Sequence, residues 1–170
     1  MAALSPLRAQ ARITLPADAR AEIDAFRLRW NPEIAAGNPA HVTIAYHDEA
    51  ADVDLLRARL GETCRRTAPF PLALGEAMRF AAPVRGIYLA VADPTDAIAP
   101  LRRALLAPPF RARDRFGLHV TLLHPAVGER TEEAWPALPV APRATFTVAR
   151  VDLVAGVGPA TRVLDSFALA

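Results

Sequence analysis

The sequence is poor in features that would commit it to several common chemistries. It has one cysteine, Cys64, so no intramolecular disulfide can form, and a reducing, cytoplasmic setting is expected. That cysteine sits in the helix-like stretch VDLLRARLGETCRRT, which predicts a packed core thiol rather than a nucleophile. No apolar run approaches the ~20 residues that a helix needs to span a bilayer, so no membrane association is expected. The opening MAALSPLRAQARITLP lacks the long apolar centre of a secretory signal, and it resembles a transit peptide only weakly because RITL already reads as a strand. Lysine is absent. All 20 basic residues are arginine, and the pI is 9.3 although the formal net charge is only +2; the coding bias of a GC-rich genome accounts for this. There is no basic run of the kind that tracks many phosphates of a duplex. Nor is there a glycine-rich phosphate loop, a nucleophile elbow or a local Cys-His pairing.

Histidine is also scarce, and its distribution is the main signal. The four histidines of the 170 residues fall in two copies of one phrase, HVTIAYH from His41 to His47 and HVTLLH from His119 to His124. With ten threonines in the chain, two His-x-Thr matches among four histidines are roughly a one-in-fifty event under random placement, which sets the false-positive risk of so short a motif.

The copies share their surroundings. ARITLP reads as an alternating strand, and ADARAEIDAFRLRW as a helix with Ile23, Phe26 and Trp30 at helical spacing. NPEIAAGNP breaks it, and the strand AHVTIAY follows. Later, RGIYLAVA is a strand and DPTDAIAPLRRALL a helix with Asp93 and Pro94 at its start. APPFRARDRFG is a breaker loop, and LHVTLLH a strand. Between the copies lie an amphipathic helix, DVDLLRARLGETCRRT, and the strand region FPLALGEAMRF. After them come a Pro-rich connection, GERTEEAWPALPVAPR, and a closing pair of strands in ATFTVARVDLVAG and ATRVLDSFALA. The expectation is one α+β domain over residues 1–170, built as a bilobal pseudo-twofold duplication. Two antiparallel sheets would line a central groove, with helices outside.

Strand alternation turns His41 and Thr43 to one face and Val42 and Ile44 to the other, and does the same for His119 and Thr121 against Val120 and Leu122. Across a groove, two imidazoles and two hydroxyls would then surround one small site. Two imidazoles suit a displacement in which one proton is removed and another delivered, as in opening a phosphodiester, while the threonines donate to nonbridging oxygens. The FRARDRF loop, with Arg111, Arg113 and Arg115, reads either as a solvated loop or as a phosphate-attracting rim in which Arg115 is the candidate for substrate binding.

With HVTI at 41–44, HVTL at 119–122, their spacing, the NPAHVT entry and the order of elements, the chain resembles the 2H phosphoesterase superfamily over nearly its whole length. Within it, the resemblance is to the branch of 2′-5′ RNA ligases and RNA 2′,3′-cyclic phosphodiesterases. The resemblance implies a bilobal fold, metal-independent hydrolysis of cyclic or 2′-5′ phosphodiesters without a cofactor, and catalytic roles for His41, Thr43, His119 and Thr121. It also implies substrate-binding roles five positions after each motif histidine. Tyr46 fits the basic-or-aromatic pattern there, and His124 stands where arginine is frequent. By strict alternation both would face away from the groove unless the strands bend. The expected partner is an RNA end or small nucleotide carrying a cyclic phosphate, met by a monomer. The alternative is a nucleotide- or RNA-binding module of the same fold with little turnover.

Other readings are weaker. An extended strand would put His41 and His47 roughly 20 Å apart at about 3.3 Å per residue, too far to share a zinc ion that needs nitrogens about 2 Å away. Glu132 with Glu133, and Asp52 with Asp54, have no partner motif and read as solvated. Trp30 and Trp135 read as core or boundary aromatics.

Overall fold

The computed structural model describes residues 8–139 and 144–170. The first seven residues, considered above as a leader, and the end of the Pro-rich connection at 140–143 lie outside the described residues. Eight strands form one antiparallel sheet: β1 (Ala9–Thr14), β2 (His41–Ala45), β3 (Phe70–Arg79), β4 (Ile87–Ala92), β5 (His119–Leu123), β6 (Thr145–Val148), β7 (Arg150–Ala155) and β8 (Arg162–Ala168). Their order is β6-β3-β4-β5-β2-β1-β7-β8. The two expected sheets are therefore two halves of a single sheet, joined between β2 and β5 where Val42 lies opposite Val120. Outward from that seam, each half places its His-x-Thr strand first and then the strand that precedes it in the chain, β1 in one half and β4 in the other.

The closing segment differs from the expected pair of strands. ATFTVARVDLVAG contains both β6 and β7, separated by the single residue Ala149, yet β6 pairs with β3 and β7 with β1. Five strands lie between them in the sheet order. In a flat sheet at about 4.8 Å per strand they would be nearly 30 Å apart, which one residue cannot bridge. The sheet therefore curls until its two sides approach.

Helices cover one face. Helix α1 (Ala17–Trp30) buries Ala19, Ile23 and Phe26, and the short α2 (Pro32–Ala35) follows it where the sequence suggests only a break. Helix α3 (Val53–Cys64) buries Leu56, Leu60 and Cys64 at intervals of four, and Asp52 caps it by accepting from the Leu55 amide at 2.9 Å. Cys64 is buried, and burial pushes its thiol up to about 11, consistent with a packing role. Helix α4 (Ile98–Leu105) begins five residues after Asp93, because the Asp93 carboxylate holds a turn by accepting from the Thr95 and Ile98 amides. Short helical turns at Pro125–Arg130 and Trp135–Ala137 flank α5 (Thr131–Ala134) in the Pro-rich connection. The core lies between these helices and Val42, Ile44, Val120 and Leu122 of the sheet. Helix α1 packs on β5 and α4 on β2, so each half's helix supports the other half's His-x-Thr strand. No helix of the described residues is long and apolar enough to cross a membrane.

Candidate active site

The alternation expected for the two motifs holds through their first four residues and then breaks identically in both. Val42 and Ile44 are buried while His41 and Thr43 are half-buried, and Val120 and Leu122 are buried against half-buried His119 and Thr121. Along β1, Ala11 opposes Ala45 but Arg12 opposes Thr43, so Ile44 is an extra residue. Along β4, Ile87 opposes Leu123 but Tyr88 opposes Thr121, so Leu122 is extra. Each is a β-bulge, and its one-residue insertion reverses the alternation beyond it. Ala45 and Leu123 become buried, and Tyr46 and His124 return to the groove. A bulge leaves a backbone carbonyl outside the ladder, and each is satisfied by a side chain from the opposite half. Arg102 of α4 donates to the Ile44 carbonyl, and Asn31, after α1, donates to the Leu122 carbonyl.

The four motif side chains line one cavity of about 340 Å³. With Val42 opposite Val120, the antiparallel register sets His41 across from Thr121 and Thr43 across from His119. The histidines are oriented alike: the Nδ1 of His41 lies 2.7 Å from the Pro39 carbonyl, and the Nδ1 of His119 lies 2.9 Å from the Gly117 carbonyl. A carbonyl only accepts, so both Nδ1 atoms carry protons and Nε2 is left for the groove. The Thr43 and Thr121 hydroxyls have no protein partner among the described residues, and both remain free to donate.

The surroundings of the two histidines differ. Behind His41 lies Arg12, whose guanidinium is buried, donates to Asn38 Oδ1 at 2.6 Å and approaches His41 Nδ1 at 3.5 Å. Since that Nδ1 already donates to Pro39, the approach is a charge contact. Burial first, and the Arg12 charge second, push the His41 imidazole down to about 3, with smaller contributions from Arg27 and His119. Beside His119 are aromatic rings instead. Phe80 and Tyr88 meet it edge-on, with centroids 5.8 and 5.6 Å away.

The rim is set by two acids that sequence reasoning missed. Glu49, buried at the turn after β2, accepts from Arg102 at 2.7 Å, from the Tyr46 amide at 2.9 Å and from the Arg113 amide at 2.8 Å. Asp48 accepts from the Arg113 guanidinium at 2.7 Å. Together they lay Arg113 over the Tyr46 ring, 3.8 Å from its centroid. Within the FRARDRF loop it is thus Arg113 that lines the histidine cavity, whereas Arg115 lines an adjoining cavity that shares Tyr46, Arg113 and His119. The DE dipeptide directly after the first motif was the available signal.

His124 lines the cavity while its Nδ1 accepts from the Ala126 amide at 3.0 Å, capping the following turn. That leaves Nε2–H as a donor, and burial, with Arg27 nearby, lowers its pKa. His47 also reaches the cavity, because the chain turns after Tyr46 instead of staying extended; among the described residues, no three His, Cys, Asp or Glu side chains are grouped as a metal site. Arg27 and Asn38 complete the His41 side. Away from the groove, Glu132 pairs with Arg79 and Asp54 with Arg57.

Comparison with known proteins agrees with this geometry. The model of the family described as the 2′-5′ RNA ligase superfamily matches residues 15–159. The crystal structure of E. coli LigT complexed with 3′-AMP is similar, with a TM-score of 0.67 and 25% identity over 98% of this chain and 99% of that one. The apo form of E. coli LigT gives 0.69 at the same identity and coverage. The protein TT0787 of Thermus thermophilus shares the fold, with a TM-score of 0.69 and 19% identity over 95% of this chain and 97% of that one. A search of curated protein sequences finds no significant match.

Proposed function

Because the chain belongs to the 2′-5′ RNA ligase superfamily, we propose that it is a phosphodiesterase opening a 2′,3′-cyclic phosphate, or a related 2′-5′ or cyclic nucleotide phosphodiester, by two-histidine acid-base catalysis. The observation that carries this reading is the pair of imidazoles in one cavity, each with Nδ1 tied to a carbonyl and Nε2 turned to the groove. One Nε2 takes a proton from the attacking water and the other gives a proton to the leaving ribose oxygen. The Thr43 and Thr121 hydroxyls donate to the nonbridging oxygens as charge builds. Arg113, over Tyr46, brings positive charge to the cavity, and Arg115 brings it to the adjoining one. His124 offers Nε2–H as a neutral donor. LigT has been crystallised with 3′-AMP, with phosphate and with ATP, ligands of the class this reading requires.

The mechanism uses no cofactor or Lewis acid, and one chain supplies every group. We therefore read the protein as a monomer whose two halves act as lobes of one domain, and the single cysteine fits a cytoplasmic setting. The test is turnover of 2′,3′-cyclic AMP by purified protein dialysed against EDTA, with products read by ³¹P NMR. Conversion to a monoester is expected. Loss of activity that only added metal restores would overturn the two-histidine mechanism. Retained binding of 3′-AMP with no turnover of any cyclic substrate would make the protein a nucleotide-binding module.

A further inference from the structure

Three arginines line the histidine cavity, Arg8, Arg27 and Arg113, and among the described residues no carboxylate does. They are held very differently. Arg27 is buried, and its guanidinium is committed to Asp24 and to the Asn38 carbonyl. The Arg8 side chain is exposed and has no hydrogen-bond partner among the described residues. Arg113 is exposed as well, yet it is fixed from several directions at once. Its amide donates to the Glu49 carboxylate at 2.8 Å, and two residues earlier the Arg111 amide donates to the Glu49 carbonyl at 3.2 Å. Its guanidinium lies 3.8 Å from the centroid of the Tyr46 ring. Asp48 then takes one edge of that guanidinium in two bonds, from Nε at 3.2 Å and from Nη2 at 2.7 Å.

A guanidinium carries five N–H groups in one rigid plane. Asp48 uses two of them, and the three that remain, two on Nη1 and one on Nη2, have no partner among the described residues. The free edge pairs Nη1 with Nη2, a fork that matches two oxygens of a phosphate. Stability does not account for the arrangement, because an ion pair between side chains as exposed as these contributes little to folding.

Resting on the phosphodiesterase reading above, we infer that Asp48 is a positioning residue: by holding the Nε–Nη2 edge of Arg113 against Tyr46, it turns the Nη1–Nη2 edge to the phosphoryl group in the histidine cavity. Arg113 binds that group, and Asp48 acts through Arg113. Asp48 does not itself line the cavity, so its charge stands behind the guanidinium instead of facing the ligand. An unrestrained arginine has many rotamers, and an anion that it clasps must freeze them. Here the carboxylate and the ring freeze them before the ligand arrives. The turn that follows the first motif thereby equips the loop that precedes the second, which links the two halves of the sheet through one side chain.

The sign of one substitution separates positioning from plain electrostatics. Asp48→Asn removes a negative charge near a site for anions, so charge alone predicts tighter binding of 3′-AMP. If Asp48 positions Arg113, binding is expected to weaken instead, by about three- to thirtyfold, as the guanidinium regains its rotamers. Arg113→Met is expected to weaken it by about tenfold to a hundredfold. In the double variant Asp48→Asn is expected to cost nothing further, because no guanidinium is left to hold. Calorimetry with 3′-AMP at fixed ionic strength measures this cycle. Turnover of 2′,3′-cyclic AMP is expected to follow it in KM, with kcat little changed. Both side chains are partly exposed, so folding is expected to survive, and thermal unfolding checks that. Tighter or unchanged binding in Asp48→Asn, additive losses in the double variant, or a loss in kcat at unchanged 3′-AMP affinity overturns the inference, as does an unsubstituted protein that does not bind 3′-AMP. If the unsubstituted protein binds 3′-AMP and turns over no cyclic phosphate, the phosphodiesterase reading fails instead, and the affinities still decide the role of Asp48.

Discussion

The two His-x-Thr strands are near copies in backbone and unlike in chemistry. Both carry a bulge at the fourth motif residue, both turn a histidine and a threonine to the groove, and both tie the histidine Nδ1 to the carbonyl two residues before it. The neighbouring strand then presents a buried guanidinium to one and an aromatic ring to the other. Repetition thus fixes where the motif side chains sit, while one unmatched pair, Arg12 and Tyr88, makes the two sides of the groove different. On the proposed mechanism, that difference biases the His41 side toward the neutral imidazole that accepts a proton.

The coarsest way to break the comparison is to delete each histidine. His41→Ala and His119→Ala are each expected to lower turnover of 2′,3′-cyclic AMP by about two to four orders of magnitude with folding retained, judged by circular dichroism and thermal unfolding. On the proposed mechanism the two act in one displacement, so the double variant is expected to lose little more than the worse single one. Near-normal turnover in either folded variant would remove that residue from the chemistry.

The supports of the two bulges differ next. Arg102, behind Ile44, is a buried charge paired with Glu49, whereas Asn31, behind Leu122, is neutral and also accepts from the His124 amide at 3.1 Å. Glu49→Ala leaves that charge uncompensated and is expected to destabilise the fold by about 3–5 kcal/mol. Asn31→Ala strands neutral groups and costs about 1–3 kcal/mol. Urea unfolding measures both, and equal losses would mean that the ion pair matters no more than the amide.

These supports mark what the sequence could and could not show. The motifs, the helices α1 and α3 and the burial of Val42, Ile44, Val120 and Leu122 follow from local periodicity and were legible. A bulge is a property of pairing between strands, so neither the return of Tyr46 and His124 to the groove nor the capture of two carbonyls by Asn31 and Arg102 could be read from either strand alone. The split at Ala149 was hidden for the same reason, because a continuous β-prone run does not say which edges its parts join. Arg113 and Arg115 are alike as sequence. Only the acids Asp48 and Glu49, distant in the chain, distinguish the one that reaches the histidines.

Smaller in effect are the hydroxyls. Thr43→Val and Thr121→Val keep the packing shape and remove one donor each, so kcat is expected to fall by roughly a hundredfold with little change in ground-state binding. The seam places each threonine across from the other strand's histidine, and similar losses are expected from the two. A rise in KM at constant kcat would make the hydroxyls uniform binders. Losses confined to one of them would mean that the phosphate sits to one side of the seam.

The finest effect is on the pH response of the His41 side, where the Arg12 charge adds to burial. Burial lowers this guanidinium to about 10, so it stays charged at neutral pH and opposes protonation of His41. Arg27 adds to that opposition, while Asp24 pairs with Arg27 at 2.8 Å and Asp152 lies beside Arg12 across β1 and β7, each moderating its own arginine. An imidazole free in water titrates near 6.5. His41, at about 3, therefore stays neutral through the mildly acidic range, and the acid limb of kcat/KM that depends on it is expected well below 6.5. Stability follows the same displacement. The unfolded chain binds the proton first, so the contribution of neutral His41 is complete above about pH 6.5 and is lost as pH falls from there toward the folded value. Replacing Arg12 by methionine removes the charge and keeps much of the bulk. The His41 ring titration, followed by NMR, and the acid limb are both expected to move up toward the ordinary range, and the fall in unfolding midpoint between pH 7 and 4 to become shallower. A His119→Ala background leaves His41 as the one motif histidine whose midpoint is read. A wild-type limb already near 6.5, or one that Arg12→Met leaves in place, would show that the guanidinium behind His41 does not hold its imidazole down.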